Sequence, residues 1–124
     1  MRKELNLTYR GKQYIAAVNI NATRAYARER GLKTVQEFHN DLLYTGKGED
    51  IPFDMLERYA LFFLYTLKEG ARLHDKPCTL TIEDVFLMLE DNQNYLRQIM
   101  SMTFDQADTD PSKKKTAKTA EKNP

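Results

Sequence analysis

The stretch from Pro52 to His74 constrains this chain more than any other. Leu56, Tyr59, Ala60, Phe63, Leu67 and Ala71 recur there at i, i+3, i+4 and i+7, the period of a helix with one apolar face. Met55, Phe62 and Tyr65 fall outside that stripe. A helix apolar over so much of its girth has to be covered on more than one side, so the rest of the chain must wrap it. Pro52 suits a first helical turn, and the spacing predicts a helix from Phe53 to His74. Gly70 weakens that helix by about 1 kcal/mol relative to alanine, which leaves room for a bend or an early end.

The wrapping begins with a hairpin. Leu5, Leu7 and Tyr9 alternate with polar residues, as do Tyr14, Ala16, Val18 and Ile20, with Arg10-Gly11-Lys12 as the turn between them. A two-stranded hairpin is marginal in water, so its apolar face must lie on helices. Asn21 reads as the N-cap of a short helix over Ala22–Arg30, closed by Gly31. Thr34 and Glu37 form a capping-box pattern ahead of Phe38, Leu42 and Leu43, and that helix should end near Gly46, before a loop over 46–50. Lys76-Pro77-Cys78 breaks the chain, and Thr81 with Asp84 opens a fourth helix, Ile82–Glu90, carrying Val85, Phe86 and Leu89. After 91–94, Leu96, Ile99, Met100 and Thr103 share a face of a last helix, which Tyr95, Met102 and Phe104 widen. The expected fold class is α+β, mainly α-helical, with about five helices and an N-terminal β-hairpin.

At 124 residues the chain suits one domain with a small core. Its net charge of +1 conceals an uneven distribution. Residues 109–124 hold five lysines (Lys113, Lys114, Lys115, Lys118 and Lys122) against Asp110 and Glu121, a net of +3. That leaves 14 of the 19 basic and 16 of the 18 acidic residues in 1–108, a net of −2. The tail has no large apolar residue, so it cannot offset the entropy of ordering, and 109–124 is expected to be a disordered basic tail on a single domain, 1–108. One cysteine, Cys78, excludes an intrachain disulfide and fits a reducing, cytoplasmic setting. The start has no apolar run of signal-peptide length, and the longest apolar stretch, Tyr59–Leu67, is too short to span a bilayer.

No catalytic motif is legible, and no cofactor is implied. Gly46-Lys47-Gly48 lacks both the spacing and the preceding strand of a phosphate-binding loop. A nucleophile–base pair would need His39 or His74 beside Cys78, Ser101 or Ser112. His74 and Cys78 with Asp75 resemble the start of a metal site, but Pro77 spoils any fixed helical geometry and no second ligand cluster follows. An exposed helix-end histidine and a small buried thiol explain them as well. Glu83 and Asp84 sit in a first turn, where the helix dipole favours negative charge. Arg24 and Arg28, one turn apart, read either as a solvated face or, with the tail lysines, as the phosphate contacts of a small nucleic-acid-binding regulator. The acidic body and Glu29 weigh against nucleic acid.

The positive signal lies in the large flexible side chains. Six Phe, seven Tyr and five Met occur without Trp, and the last helix carries several where the ordered chain ends. Tyr95, Ile99, Met100, Met102 and Phe104 are the candidate partner-binding residues, because unbranched methionine repacks readily around a helical partner.

The hairpin Leu5-x-Leu7-x-Tyr9-x-Gly11-Lys12-x-Tyr14, then Ile20-Asn21-Ala22 opening a helix, then Leu80-Thr81-Ile82-Glu83-Asp84-Val85 late in a small helical body resemble the tail assembly chaperones of long-tailed bacteriophages and prophages. The likeness covers the layout of roughly residues 4–105. It implies a non-enzymatic protein of the bacterial host's cytoplasm that coats the tape-measure protein, helps recruit tail-tube subunits and forms homo-oligomers. It also implies a longer product made by frameshifting, for which the Lys113–Lys115 codons are a candidate site. It brings no catalytic residue.

Overall fold

The computed structural model describes residues 3–43 and 51–108, with side chains as far as Phe104. The expected loop at 46–50 and the basic tail at 109–124 lie outside the described residues. Two strands and five helices follow in order: β1 (Lys3–Tyr9), β2 (Lys12–Val18), α1 (Ile20–Arg30), α2 (Val35–Leu42), α3 (Phe53–Leu73), α4 (Ile82–Asp91) and α5 (Asn94–Asp108). The fold is α+β and mainly helical.

The strands pair antiparallel, with Tyr9 opposite Lys12 and Leu7 opposite Tyr14. Arg10 and Gly11 both take positive φ, 52° and 77°, as a two-residue type I′ hairpin turn requires. Leu7, Tyr9, Ala16 and Val18 point into the core, in keeping with the alternation. Ala17, on the opposite parity, is buried as well. The alternation fails at Ile20, which the structure places outside the strand and 62% exposed.

β2 stops at Val18 because Asn19 turns the chain. The cap of α1 is Asn19, not Asn21: its side-chain oxygen accepts from the Ala22 N–H at 3.0 Å. The helix therefore starts at Ile20, and Asn21 lies inside its first turn. Gly31, at φ 75°, closes α1 by letting its own N–H reach Arg28 and the Leu32 N–H reach Ala27. Thr34 caps α2 as expected, accepting from Glu37 N–H at 3.0 Å. Of the apolar residues assigned to α2, Phe38 and Leu42 are buried, while Leu43 is exposed just past its end.

α3 is the axis of the molecule. Tyr59, Ala60, Phe63 and Leu67 are buried, and so are Met55, Phe62, Leu64, Thr66 and Gly70 from the other sides. Leu56 and Ala71 are half-buried. β2 and α1 pack most heavily on it, with α4, α2 and α5 completing the cover. Gly70 does not end the helix, which runs on to Leu73. A Cβ at Gly70 would stand 1.9 Å from the Ile15 carbonyl oxygen, so its bare Cα is what lets α3 lie directly against the β2 backbone. Tyr26, Phe38 and Phe62 meet edge to face in the core, with centroids 5.4–5.9 Å apart.

Thr81 and Asp84 form the expected capping box of α4. Its core residues are Val85 and Met88; Phe86 is 36% exposed and Leu87 is 41% exposed. None of the helices among the described residues is long and apolar enough to cross a membrane.

Candidate functional site

The last helix carries the side chains singled out for partner binding, and the structure divides them. Ile99 is fully buried and belongs to the core, so it offers no surface in this conformation. Thr103 is buried beside it, donating its hydroxyl to the Ile99 carbonyl at 2.7 Å. Tyr95 is half-buried and anchored: its hydroxyl accepts from Thr8 N–H at 3.1 Å and donates to the Thr8 carbonyl at 3.4 Å. Met100, Met102 and Phe104 are half-buried on the flanks of the core. Phe104 lies against the His39 ring, which also meets Phe38. α5 is therefore held along one row, with methionines to either side.

A second surface lies between α1 and the start of α2. It is a groove of about 410 Å³ whose apolar lining includes Ile20, Ala27, Leu32, Val35 and Phe38. Ile20 and Val35 are 62% and 60% exposed, far more than apolar side chains at a well-covered seam. Val35 continues the Phe38–Leu42 stripe past the edge of the core, and that continuation was visible in the sequence. Arg24, Arg28 and Lys33 line the same groove, and no carboxylate does. Among the described residues, no acidic side chain stands within ion-pair distance of these three. Glu29, the neighbour expected to temper them, instead accepts a hydrogen bond from the Tyr65 hydroxyl at 2.9 Å on the α3 side.

Arg30, Arg58 and Arg72 hold the scaffold. Asp41 accepts from Tyr26 Oη at 2.6 Å and from two Arg30 nitrogens at 3.0 Å, and Arg58 approaches to 3.5 Å. Burial alone would raise the Asp41 carboxyl, but the hydrogen bonds from Arg30 and Tyr26 outweigh it and hold the group below the usual range. The same burial, with that carboxylate alongside, pushes the Tyr26 phenol up. Glu69, buried in α3, accepts two bonds from Arg72 and one each from Asn19 and Asn21. Asn21 thus acts as a tie between α1 and α3.

Of the residues considered for catalysis or metal binding, His74 has a carboxylate partner. His74 Nε2 lies 3.1 Å from both carboxylate oxygens of Glu4. His74 and half-buried Cys78 line a shallow groove between β2 and the end of α3. No group of three or more His, Cys, Asp or Glu placed to hold a metal ion occurs among the described residues. The geometry offers two apolar surfaces for macromolecular contact, one of them edged with cations. Comparison with known protein families, with curated proteins and with solved structures finds no match for this chain.

Proposed function

We propose that this protein is a non-enzymatic tail assembly chaperone acting in the cytoplasm of a bacterial host. In this reading it binds amphipathic helices of a tape-measure protein and receives tail-tube subunits, working as a homo-oligomer. The supporting observation is the terminal helix. Among the described side chains of α5, Ile99 and Thr103 are sealed, and Met100, Met102 and Phe104 are half-buried at its flanks. Such a surface can repack around varied helical segments, because methionine changes rotamer at little cost. The acidic balance of 1–108 keeps the carrier soluble while it holds an aggregation-prone client.

The test is co-expression with the large helical-repeat protein and the tube protein that this reading expects from the neighbouring genes. The parent should keep the tape-measure protein soluble and co-purify with it. Met102→Asp should retain the parent's far-UV circular dichroism and lose that complex. A tape-measure protein that stays insoluble beside the parent, or one that binds Met102→Asp equally well, overturns the reading.

The alternative is a small nucleic-acid-binding regulator using Arg24, Arg28 and the tail lysines. The cationic lining of the α1–α2 groove favours it. Ile20 and Val35, exposed among those cations, weigh against it, since phosphate contacts need no apolar floor. Binding to duplex DNA or RNA that falls steeply with salt would mark this alternative.

A further inference from the structure

α1 has two working faces. Ala22 and Tyr26 are sealed in the core. On the other side Ile20, Thr23, Arg24, Ala27, Arg28 and Gly31 recur at i, i+3, i+4, i+7, i+8 and i+11, and all six line the groove beside α2. This second face runs the whole helix to its cap, about three turns or about 16 Å. Its middle is a lane of small residues, Thr23, Ala27 and Gly31, one at every fourth position. A Cβ at Gly31 would meet nothing within 4 Å, so the end of the lane is open. Small side chains at that spacing let a second helix approach closely, its ridge of side chains seated in the lane. Ile20 at one end and Val35 across the groove stand exposed as apolar anchors.

The charge around the lane has one sign. Arg24, Arg28 and Lys33 are exposed in the lining, and no carboxylate joins them. Folding does not account for this arrangement. Arg24 and Arg28 are four apart on one helix and repel each other. The macrodipole favours Arg28, in the last turn of α1, but gives nothing to Arg24 in mid-helix. Lys33 stands directly before the α2 cap, Thr34, where positive charge opposes the dipole of α2. What would satisfy all three is negative charge brought from outside. A bare phosphate backbone has no use for Ile20 and Val35, whereas a helix bearing both carboxylates and apolar side chains matches the whole surface.

We propose that the groove between α1 and α2 is a docking site for an acidic amphipathic helix of another protein, laid along the Thr23–Ala27–Gly31 lane with its apolar side chains against Ile20 and Val35 and its carboxylates toward Arg24, Arg28 and Lys33. The groove thereby selects its partner by charge. The inference goes beyond the client-binding reading and needs no part of the α5 surface.

Fluorescence anisotropy with the full chain and a labelled synthetic helix tests it. The probe is a peptide of about 15 residues, long enough to hold a helix, with leucine at i, i+3, i+4 and i+7 and glutamate on both flanks. The parent should bind it about tenfold more tightly than the same peptide with glutamine for glutamate, the sum expected of three exposed ion pairs. A version with lysine for glutamate should not bind. Arg24→Glu/Arg28→Glu should lose the glutamate peptide and gain the lysine one, because the reversed charges then match. Ile20→Ser/Val35→Ser should lose the glutamate peptide with no change of charge. These four side chains are exposed, so circular dichroism should match the parent in both variants. A parent that ignores the glutamate peptide, or binds the glutamine peptide equally well, overturns the proposal. So does an Arg24→Glu/Arg28→Glu variant that keeps the parent's preference. A duplex oligonucleotide that binds through Arg24 and Arg28 where the peptide does not would overturn it too, and assign the cations to nucleic acid. Met102→Asp should bind the peptide like the parent; loss there would place the peptide on α5 and overturn the site. The tape-measure complex plays no part in this measurement, so the two readings fail separately.

Discussion

At Glu69 four hydrogen bonds converge on one buried carboxylate. The Arg72 guanidinium is the main cause of its low pKa; burial works the other way, Asn19 and Asn21 add to Arg72, and the carboxyl is held down at about 2. A pKa lowered in the folded state stabilises the fold above the ordinary carboxylate value, and that share is lost as pH falls through about 2. Arg72 is 59% exposed, so solvent screens its part. Glu69→Gln should therefore cost about 2 kcal/mol near neutral pH, and the gap in melting temperature from the parent should narrow toward pH 2. A gap that stays constant across that range would show the charge to be irrelevant. One residue on, Gly70→Ala should destabilise by about 2–3 kcal/mol in urea melts, although alanine is the better helix former. Its Cβ would meet backbone, at 1.9 Å from the Ile15 oxygen, and backbone cannot step aside like a side chain. Neither role was legible in the sequence. Local propensity reads Gly70 as a weak point and Asn21 as a cap; the partners that decide otherwise lie 55 and 48 residues away along the chain.

The elements themselves were largely written in local chemistry. Thr34 and Thr81 cap the helices they precede, Gly31 ends α1, and the span of α3 is that of its apolar period. Caps and turns use neighbours within four residues, which is why sequence reveals them. Thr81→Ala should thus cost about 1 kcal/mol in chemical denaturation, by freeing the Asp84 N–H that its hydroxyl now accepts from at 3.2 Å. An unchanged midpoint would mean the remaining Asp84 contacts suffice. What periodicity did not settle is which side of a short helix turns inward. α4 has apolar residues around most of its circumference, and its packing on α3 and α5 chose Val85 and Met88 over Phe86.

For the molecule as a whole, Asp41 is the point where three helices are joined. It sits in α2 and binds Tyr26 and Arg30 of α1, with Arg58 of α3 alongside. Asp41→Asn should lower the cooperativity and the midpoint of unfolding together, with a loss of about 3 kcal/mol. Loss of the midpoint alone, with the slope unchanged, would argue that the helices unfold as one without this junction. Which apolar surface remains outside is likewise a property of the assembled whole, and for this reason neither the burial of Ile99 nor the α1–α2 groove was legible in the sequence. The hairpin has a further consequence at this scale. A strand pair with a bare outer margin invites other chains to add to it as further strands. The Tyr95 phenol occupies both backbone groups of Thr8, where a third strand would bond. Tyr95→Phe should open that margin and give thioflavin-positive fibrils in concentrated samples, while the intact protein, with this site plugged, should give none under the same conditions.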